Sequence, residues 1–373
     1  MPEMRLLVSG FGFRVGRAKY PGNPKRETRN PKLFLLLGFL LLAACGKAPP
    51  LVQREAYVFG TRVEVSVWGE PSEKAAQALA AVLAEFDRLH RMLHAWQPSE
   101  LTALNDAIAA GRRDIAVSPE LTFILQDAAA IATRSDQLFN PAIGRLVALW
   151  GFHADEFKPA LPDAAALAAV VRAAPRMSDL SFAGDRVGSR NRAVQLDLGG
   201  YAKGYALDRA AAILRGMGVR NALINIGGNV MALGDKGGAP WRVGIQHPRA
   251  AAPLATLALR DGEAIGTSGD YQRYFELEGK RYCHLLDPRT GRPAEGVEAV
   301  TVLIPRRDGA GALSDAASKP LFIAGAGEWR ALARRLGVAD ALRIDAGGVM
   351  HVTASFRERL TILSSDLKIA VEP

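Results

Sequence analysis

Cysteine is almost missing from this chain: among 373 residues only Cys45 and Cys283 carry a thiol. Two such residues support neither a disulfide framework nor a cysteine-based metal site. Long apolar runs are missing too. The longest, Leu33–Leu42 after Lys32, has about ten residues, too few to span a bilayer and the length of a signal-peptide core. No glycine cluster has GxGxxG or Walker-loop spacing, so the common nucleotide-binding fingerprints are excluded. Repeats of fixed period and low-complexity blocks are lacking, and helices and strands do not alternate as βαβ units, which argues for an α+β fold. Histidine is scarce, six in all, and that narrows the choice of a catalytic base.

What is present begins with charge. The formal net charge is +9 and the isoelectric point about 9.7. Residues 1–44 carry eight Lys or Arg against two Glu, so six of those nine charges belong to this segment. The remainder is mildly basic, and a nucleic-acid partner loses most of its support. The apolar run ends in Leu42-Ala43-Ala44-Cys45-Gly46. Small residues before a cysteine resemble a bacterial lipobox, which implies cleavage before Cys45, lipid on its sulfur and a place on the periplasmic side of a bacterial membrane. The expected organisation is a leader over 1–44, a lipid-anchored tether over 45–53 and one domain over 54–373.

Within the domain, Tyr57, Phe59, Val63, Val65 and Val67 alternate with polar residues and predict one half-buried strand. Ser72 is expected to cap an amphipathic helix reaching Leu93, with Leu79, Val82, Phe86 and Leu89 on its core stripe. Ser118-Pro119-Glu120 predicts a second helix start, and Asp163–Ala173 reads as another helix. Strands are expected over 241–246, 254–259, 264–267, 271–277, 297–304, 342–344 and 349–352, with a helix over 328–336.

Three stretches carry chemistry. Gln195-Leu196-Asp197-Leu198-Gly199-Gly200 ends a strand in an acid and two glycines, and Lys203 then enters a helix to Arg215; this arrangement lets backbone N–H groups approach phosphate. Asn225-Ile226-Gly227-Gly228-Asn229 reads as a strand interrupted by paired glycines. His284–Pro293, HLLDPRTGRP, sets an imidazole, a carboxylate and a glycine-closed turn within ten residues.

Together with TSGDY (267–271) and SDAASKPLF (314–322), these stretches resemble the ApbE family of FAD:protein FMN transferases, in that family's order and approximate spacing from Phe59 to the C-terminal strands. The resemblance implies an α+β fold of two intertwined mixed-sheet lobes with flanking helices and a flavin nucleotide between them. It implies transfer of FMN from FAD to a Thr or Ser of an acceptor protein, with release of AMP. The acceptor it suggests is a respiratory flavoprotein subunit of the Rnf or Nqr kind. By position, Phe59, Trp96, Leu138, Phe139, Asn140, Asp197, Lys203 and Leu286 correspond to residues lining FAD. Gly200, Asp315 and Ser318 correspond to ligands of Mg²⁺.

Two departures from the family pattern stand out: Asn140 replaces a carboxylate, and Lys319 stands where a threonine is common. An ammonium cannot ligate Mg²⁺. Either Lys319 points away, or its charge partly replaces the ion; together with Lys203 it leads to the expectation of a weaker Mg²⁺ dependence. His284 is the expected catalytic base, since an unperturbed imidazole suits proton transfer near neutrality; Asp287 either orients it or holds the turn. Two other readings stand beside transfer: a periplasmic FAD pyrophosphatase giving FMN and AMP, and a lipid-anchored protein that binds FAD without reacting on it.

Overall fold

The computed structural model describes residues 50–154 and 156–372. The expected leader, Cys45 and the start of the tether lie outside the described residues. The alternating segments assemble into one nine-stranded sheet: β1 (Leu51–Val58), β2 (Thr61–Trp68), β3 (Asn221–Ile226), β4 (Asn229–Leu233), β5 (Ala264–Gly269), β6 (Val297–Ile304), β7 (Asp340–Asp345), β8 (Val349–Thr353) and β9 (Lys368–Glu372). Their order in the sheet is their order in the chain. Every neighbouring pair is antiparallel except β8 and β9, which run parallel.

Nine helices accompany the sheet among the described residues: α1 (Ser72–Leu93), α2 (Glu100–Ala109), α3 (Pro119–Arg134), α4 (Gly144–Leu149), α5 (Ala164–Ala173), α6 (Ala202–Gly216), α7 (Ala310–Ile323), α8 (Trp329–Leu336) and α9 (Ala354–Arg359). The sheet is covered on both faces, and side-chain alternation divides each strand between two cores. In β4, Met231 and Leu233 join the helical core with Leu79, Phe86, Leu207 and Leu321. Val230 and Ala232 point the other way, into a core shared with a three-stranded sheet (241–246, 253–259, 360–362) and Phe356 of α9. Every residue of β4 and all but Glu298 of β6 are thereby buried on one side or the other, which explains why both strands read as largely apolar. The α+β architecture expected from the sequence is present, its two lobes intertwined to the point of sharing one sheet. A third, smaller core joins Trp150, Phe152, Leu167, Phe275 and Leu286.

Several local expectations are corrected. The strand read across 57–67 is a hairpin, because Phe59 and Gly60 both have positive φ (56° and 68°) and form a two-residue turn of the kind whose twist suits antiparallel strands. The strand starts at Leu51, inside the stretch read as tether. Gly227 and Gly228 do not interrupt a strand; at φ 57° and 90° they turn β3 into β4. Ser72 is the first helical residue of α1 and makes no cap: Pro71 holds the N-cap position. The strand expected from Tyr271 begins at Tyr274. Residues 314–320, to which sequence pattern assigns no element, belong to α7, almost wholly buried and with Pro320 inside the helix.

α6 and α7 meet at their first turns. A Cβ on Gly204 would lie 2.2 Å from the Gly311 carbonyl oxygen, and one on Gly311 would lie 2.4 Å from that of Gly204. Each helix also caps the other. Asp208 of α6 accepts the N–H groups of Gly311 and Ala312 at 2.8 Å, and Asp315 of α7 accepts that of Gly204 at 3.0 Å. So close an approach of the two backbones leaves no room for a methyl group. Gly204→Ala and Gly311→Ala are each expected to destabilise the fold by about 1–3 kcal/mol, as overpacking does. Gly216→Ala, which meets open space at the end of α6, is expected to be neutral or slightly stabilising; urea unfolding of the three variants checks the contrast.

Candidate functional site

A cavity of about 320 Å³ opens at the sheet end formed by the two hairpin turns, against the first turns of α6 and α7. The hairpin turns share that end because Val63 of β2 pairs with Ile226 of β3, placing Phe59-Gly60 beside Gly227. Eleven of the twelve expected site residues line the cavity: Phe59, Trp96, Leu138, Phe139, Asn140, Asp197, Gly200, Lys203, His284, Leu286 and Asp315. Ser318 does not. Its buried hydroxyl donates to the Asp315 carbonyl at 2.9 Å and accepts from the Ser268 hydroxyl at 2.7 Å, which ties α7 to β5.

One wall is aromatic. The Phe59 ring meets Phe86 and His90 edge-on at 6.1 and 5.7 Å. Trp96, on the loop after α1, lies 5.4 Å from the His153 ring. His94 holds that loop, its Nδ1 accepting the Trp96 and Gln97 N–H groups at 3.1 and 3.0 Å. Asn140 has a structural reason to be an amide. Its Nδ2 donates to the Pro175 carbonyl at 2.8 Å while its Oδ1 accepts the Ala142 N–H at 3.1 Å. A carboxylate could make only the second of these bonds.

The opposite wall is cationic. Lys203 donates to the Gly199 carbonyl at 3.1 Å and stands 3.9 Å from the Asp315 carboxylate. Lys319 points inward: its ammonium donates to the Asp315 carbonyl at 2.7 Å and pairs with Oδ1 of the same carboxylate. The Asp315 side chain is fully buried, which on its own would raise its carboxyl. The Lys203 and Lys319 charges and the Gly204 N–H outweigh burial and hold it at about 2. Burial and Lys203 bring Lys319 down to about 8, against the pull of Asp315. Arg273, which sequence reasoning missed, adds a third cation. Its guanidinium is fixed by the Phe152 carbonyl at 2.9 Å and stacks on Phe157 at 5.3 Å. Its signal was faint, one arginine in a stretch read as a strand. His90, in the last turn of α1, and His94, at its C-cap, were likewise overlooked; their rings meet at 5.1 Å.

His284 sits among these cations. Its Nδ1 lies 3.1 Å from the Arg273 carbonyl oxygen, and because a carbonyl only accepts, Nδ1 carries the proton and Nε2 keeps its lone pair. Burial, the Arg273 guanidinium and the two ammoniums push the imidazole down to about 3. Asp287 does not orient it. Its carboxylate accepts the Arg289 N–H at 2.8 Å and pairs with the Arg289 guanidinium, holding the turn instead.

Two of the three residues expected to hold Mg²⁺ are already engaged in this arrangement. Asp315 Oδ1 holds Lys319, Oδ2 holds the Gly204 N–H, and the Ser318 hydroxyl is engaged in the core. The Lys319 Cε lies 3.2 Å from where a Cβ of Gly200 would be, so the lysine fills the space between the Gly200 backbone and Asp315. Among the described residues, no group of three or more His, Cys, Asp or Glu could hold a metal ion.

The site's surroundings have counterparts. The profile of the ApbE family matches residues 59–342. The chain is 46% identical over 311 residues to a FAD:protein FMN transferase of Rhodobacter capsulatus, covering 83% of this chain and 58% of that relative. It is 34% identical over 333 residues to a FAD:protein FMN transferase of Treponema pallidum, covering 84% of this chain and 89% of the relative. Its fold is similar to the crystal structure of the ApbE protein of Thermotoga maritima, with a TM-score of 0.75 at 30% identity over 83% of this chain and 99% of that one. It is also similar to the apo Pseudomonas stutzeri flavinyl transferase ApbE, with a TM-score of 0.70 at 29% identity over 83% and 97%.

Asp197 offers a test of the site's electrostatics. Burial raises its carboxyl, opposed by the Gly199 N–H at 2.8 Å and by Arg273 and Lys203. A carboxyl raised on folding favours the fold below its unfolded pKa, and that contribution is lost as pH rises through the folded value. Asp197→Asn is therefore expected to melt higher than the parent protein at pH 8, by a margin that shrinks toward pH 4, in ligand-free thermal unfolding.

Proposed function

The chain belongs to the ApbE family, and we propose that it transfers FMN from FAD to a Thr or Ser hydroxyl of an acceptor protein, releasing AMP. The observation that carries this reading is the meeting of an aromatic wall, a wall of three cations and a neutral imidazole with a free Nε2 in one cavity. The apolar and aromatic side, Phe59, Trp96, Leu138 and Leu286, suits the flat isoalloxazine. Lys203, Lys319 and Arg273 suit the pyrophosphate, which carries negative charge in the substrate and more on the transferring phosphoryl group and the leaving AMP.

In the reaction the acceptor oxygen forms a bond to the FMN phosphorus, and the bridge from that phosphorus to the AMP phosphate breaks. The hydroxyl proton goes to Nε2 of His284, and the bridging electron pair leaves with AMP. A hydroxyl is a poor nucleophile at neutral pH, so a base that receives its proton as the bond forms lowers the barrier. With Nδ1 tied to the Arg273 carbonyl, His284 presents that base in one tautomer. The low affinity of the free imidazole for protons reflects burial and uncompensated cations, and the phosphates of bound FAD compensate the cations. No step runs through Mg²⁺, since Lys319 lies on the carboxylate expected to hold it.

In the same reading Cys45 bears the lipid anchor and the domain works on the periplasmic side of the membrane, as Leu42-Ala43-Ala44-Cys45 suggests. The acceptor is then a membrane redox subunit of the Rnf or Nqr kind, or another respiratory flavoprotein, with its Thr outside the cytoplasm.

The deciding experiment is mass spectrometry of a Thr-bearing flavinylation peptide after incubation with the protein and FAD, with AMP followed in parallel. A peptide heavier by one FMN moiety together with AMP is expected. Free FMN and AMP with unmodified peptide would instead point to a pyrophosphatase, and intact FAD to a binding protein. His284→Ala is expected to cut transfer by about 10²–10⁴, the range of general-base catalysis, while FAD fluorescence titration still reports binding. The acid limb of kcat should lie at higher pH than that of kcat/KM. The first reports His284 beside bound phosphates and the second reports it in the free protein, where the surrounding cations resist its protonation.

A further inference from the structure

The Lys319 ammonium occupies the place a divalent cation would need. Of its three N–H donors, two are directed to the Asp315 carbonyl and carboxylate, and it has no other partner among the described residues. The third remains for a ligand in the cavity that Lys319 lines. Lys203 stands 3.9 Å from the same carboxylate. Two ammoniums and one carboxylate leave a net charge of +1, the charge that one carboxylate and one divalent ion would leave. A divalent ion added here would raise that to +3 in a buried space, beside a carboxylate whose two oxygens already hold Lys319 and the Gly204 N–H.

We propose that Lys319, held by Asp315 against the Gly200 backbone, serves as a built-in cation for the FAD pyrophosphate, so that this chain binds FAD and transfers FMN without Mg²⁺. The inference rests on the transfer reading for its chemistry and on the Asp315 and Gly200 contacts for its geometry. Lys319 supplies one N–H to a phosphate oxygen and a fixed positive charge where AMP leaves; bonds made and broken are those already described. A lysine brings its charge with the fold, so its site needs no free metal and is filled before the substrate arrives. The substrate class it favours is a dinucleotide pyrophosphate presented without a bound metal ion.

Two measurements on the full chain test this. The first is FAD affinity, read by fluorescence quenching in EDTA and in millimolar Mg²⁺ for the parent and for Lys319→Thr, which restores an oxygen ligand. The parent is expected to bind FAD equally in both media. Lys319→Thr is expected to bind weakly in EDTA and to recover with Mg²⁺. The second is transfer to the Thr peptide under the same four conditions. The parent rate should be unchanged by EDTA, and Lys319→Thr should lose about a hundredfold in EDTA and regain most of it with Mg²⁺. Parent binding or transfer that collapses in EDTA and returns with Mg²⁺ would overturn the proposal, as would a Lys319→Thr variant that behaves like the parent in both media. Failure of the transfer reading looks different: no flavinylated peptide forms in any medium, while the paired affinities still decide the role of Lys319.

Discussion

Everything at the site depends on how α6 and α7 end. The first turn of any helix leaves N–H groups without partners and concentrates positive charge, so two such ends in contact would repel. Here each end receives a carboxylate from the other helix, Asp208 on one side and Asp315 on the other. Glycines at 204 and 311 let the backbones touch closely enough for both caps to reach. Asp208 accepts this duty although burial pushes its carboxyl up to about 6, against the two N–H groups it receives. The exchange fixes Asp315, and through it everything attached. Lys203 lies one residue before the glycine contact, and Lys319 one helical turn after Asp315. A structural cap and an electrostatic centre are the same residue.

The other half of the cavity comes from the sheet. Two adjacent hairpins turn with their central residues at positive φ, and pairing of β2 with β3 puts both turns at one end. Glycine is the usual occupant of such positions, and three of the four are glycine. The fourth, Phe59, adopts the left-handed region that non-glycine residues seldom visit. The return is a ring placed at the cavity rim, against Phe86 and His90. The turn thus accepts a backbone cost at the position where an aromatic wall is needed.

Much of this was legible in advance. The alternating strands, the long amphipathic α1, the α+β class and the segments meeting at the cavity could all be read from residue pattern and from resemblance, because each rests on local periodicity or on a linear motif. The failures have local causes. A phenylalanine carries no signal of positive φ, so the first hairpin looked like a single strand. α7 carries no clear helix signal, because Ser314, Asp315, Ser318 and Lys319 are polar and Pro320 breaks most helices. Their polarity is satisfied by partners far away in the chain, Gly204 and Ser268 among them. The roles of Asn140 and Asp287 were likewise set by contacts: an amide bridging two backbone groups, and a carboxylate gripping Arg289. Arg273 was missed because what distinguishes it, the carbonyl it lends to His284 and the charge it adds nearby, is not a property of its neighbours in sequence.

The sheet's order bears on how the molecule assembles in time. Strands that neighbour each other in the chain also neighbour each other in the sheet, so β1 with β2, β3 with β4, and β7 with β8 form as local hairpins, the fast events of folding. One seam closes a far longer loop than any other in the sheet. Between β2 and β3 the chain makes the whole excursion from Gly69 to Arg220, which holds α1 through α6. Closing a loop of that length adds little to the equilibrium cost, since the entropy grows only with the logarithm of length, but it delays the encounter. The seam from Val63 to Ile226 and from Trp68 to Asn221 therefore closes the largest loop in the sheet, and the cavity, which straddles it, depends on that closure.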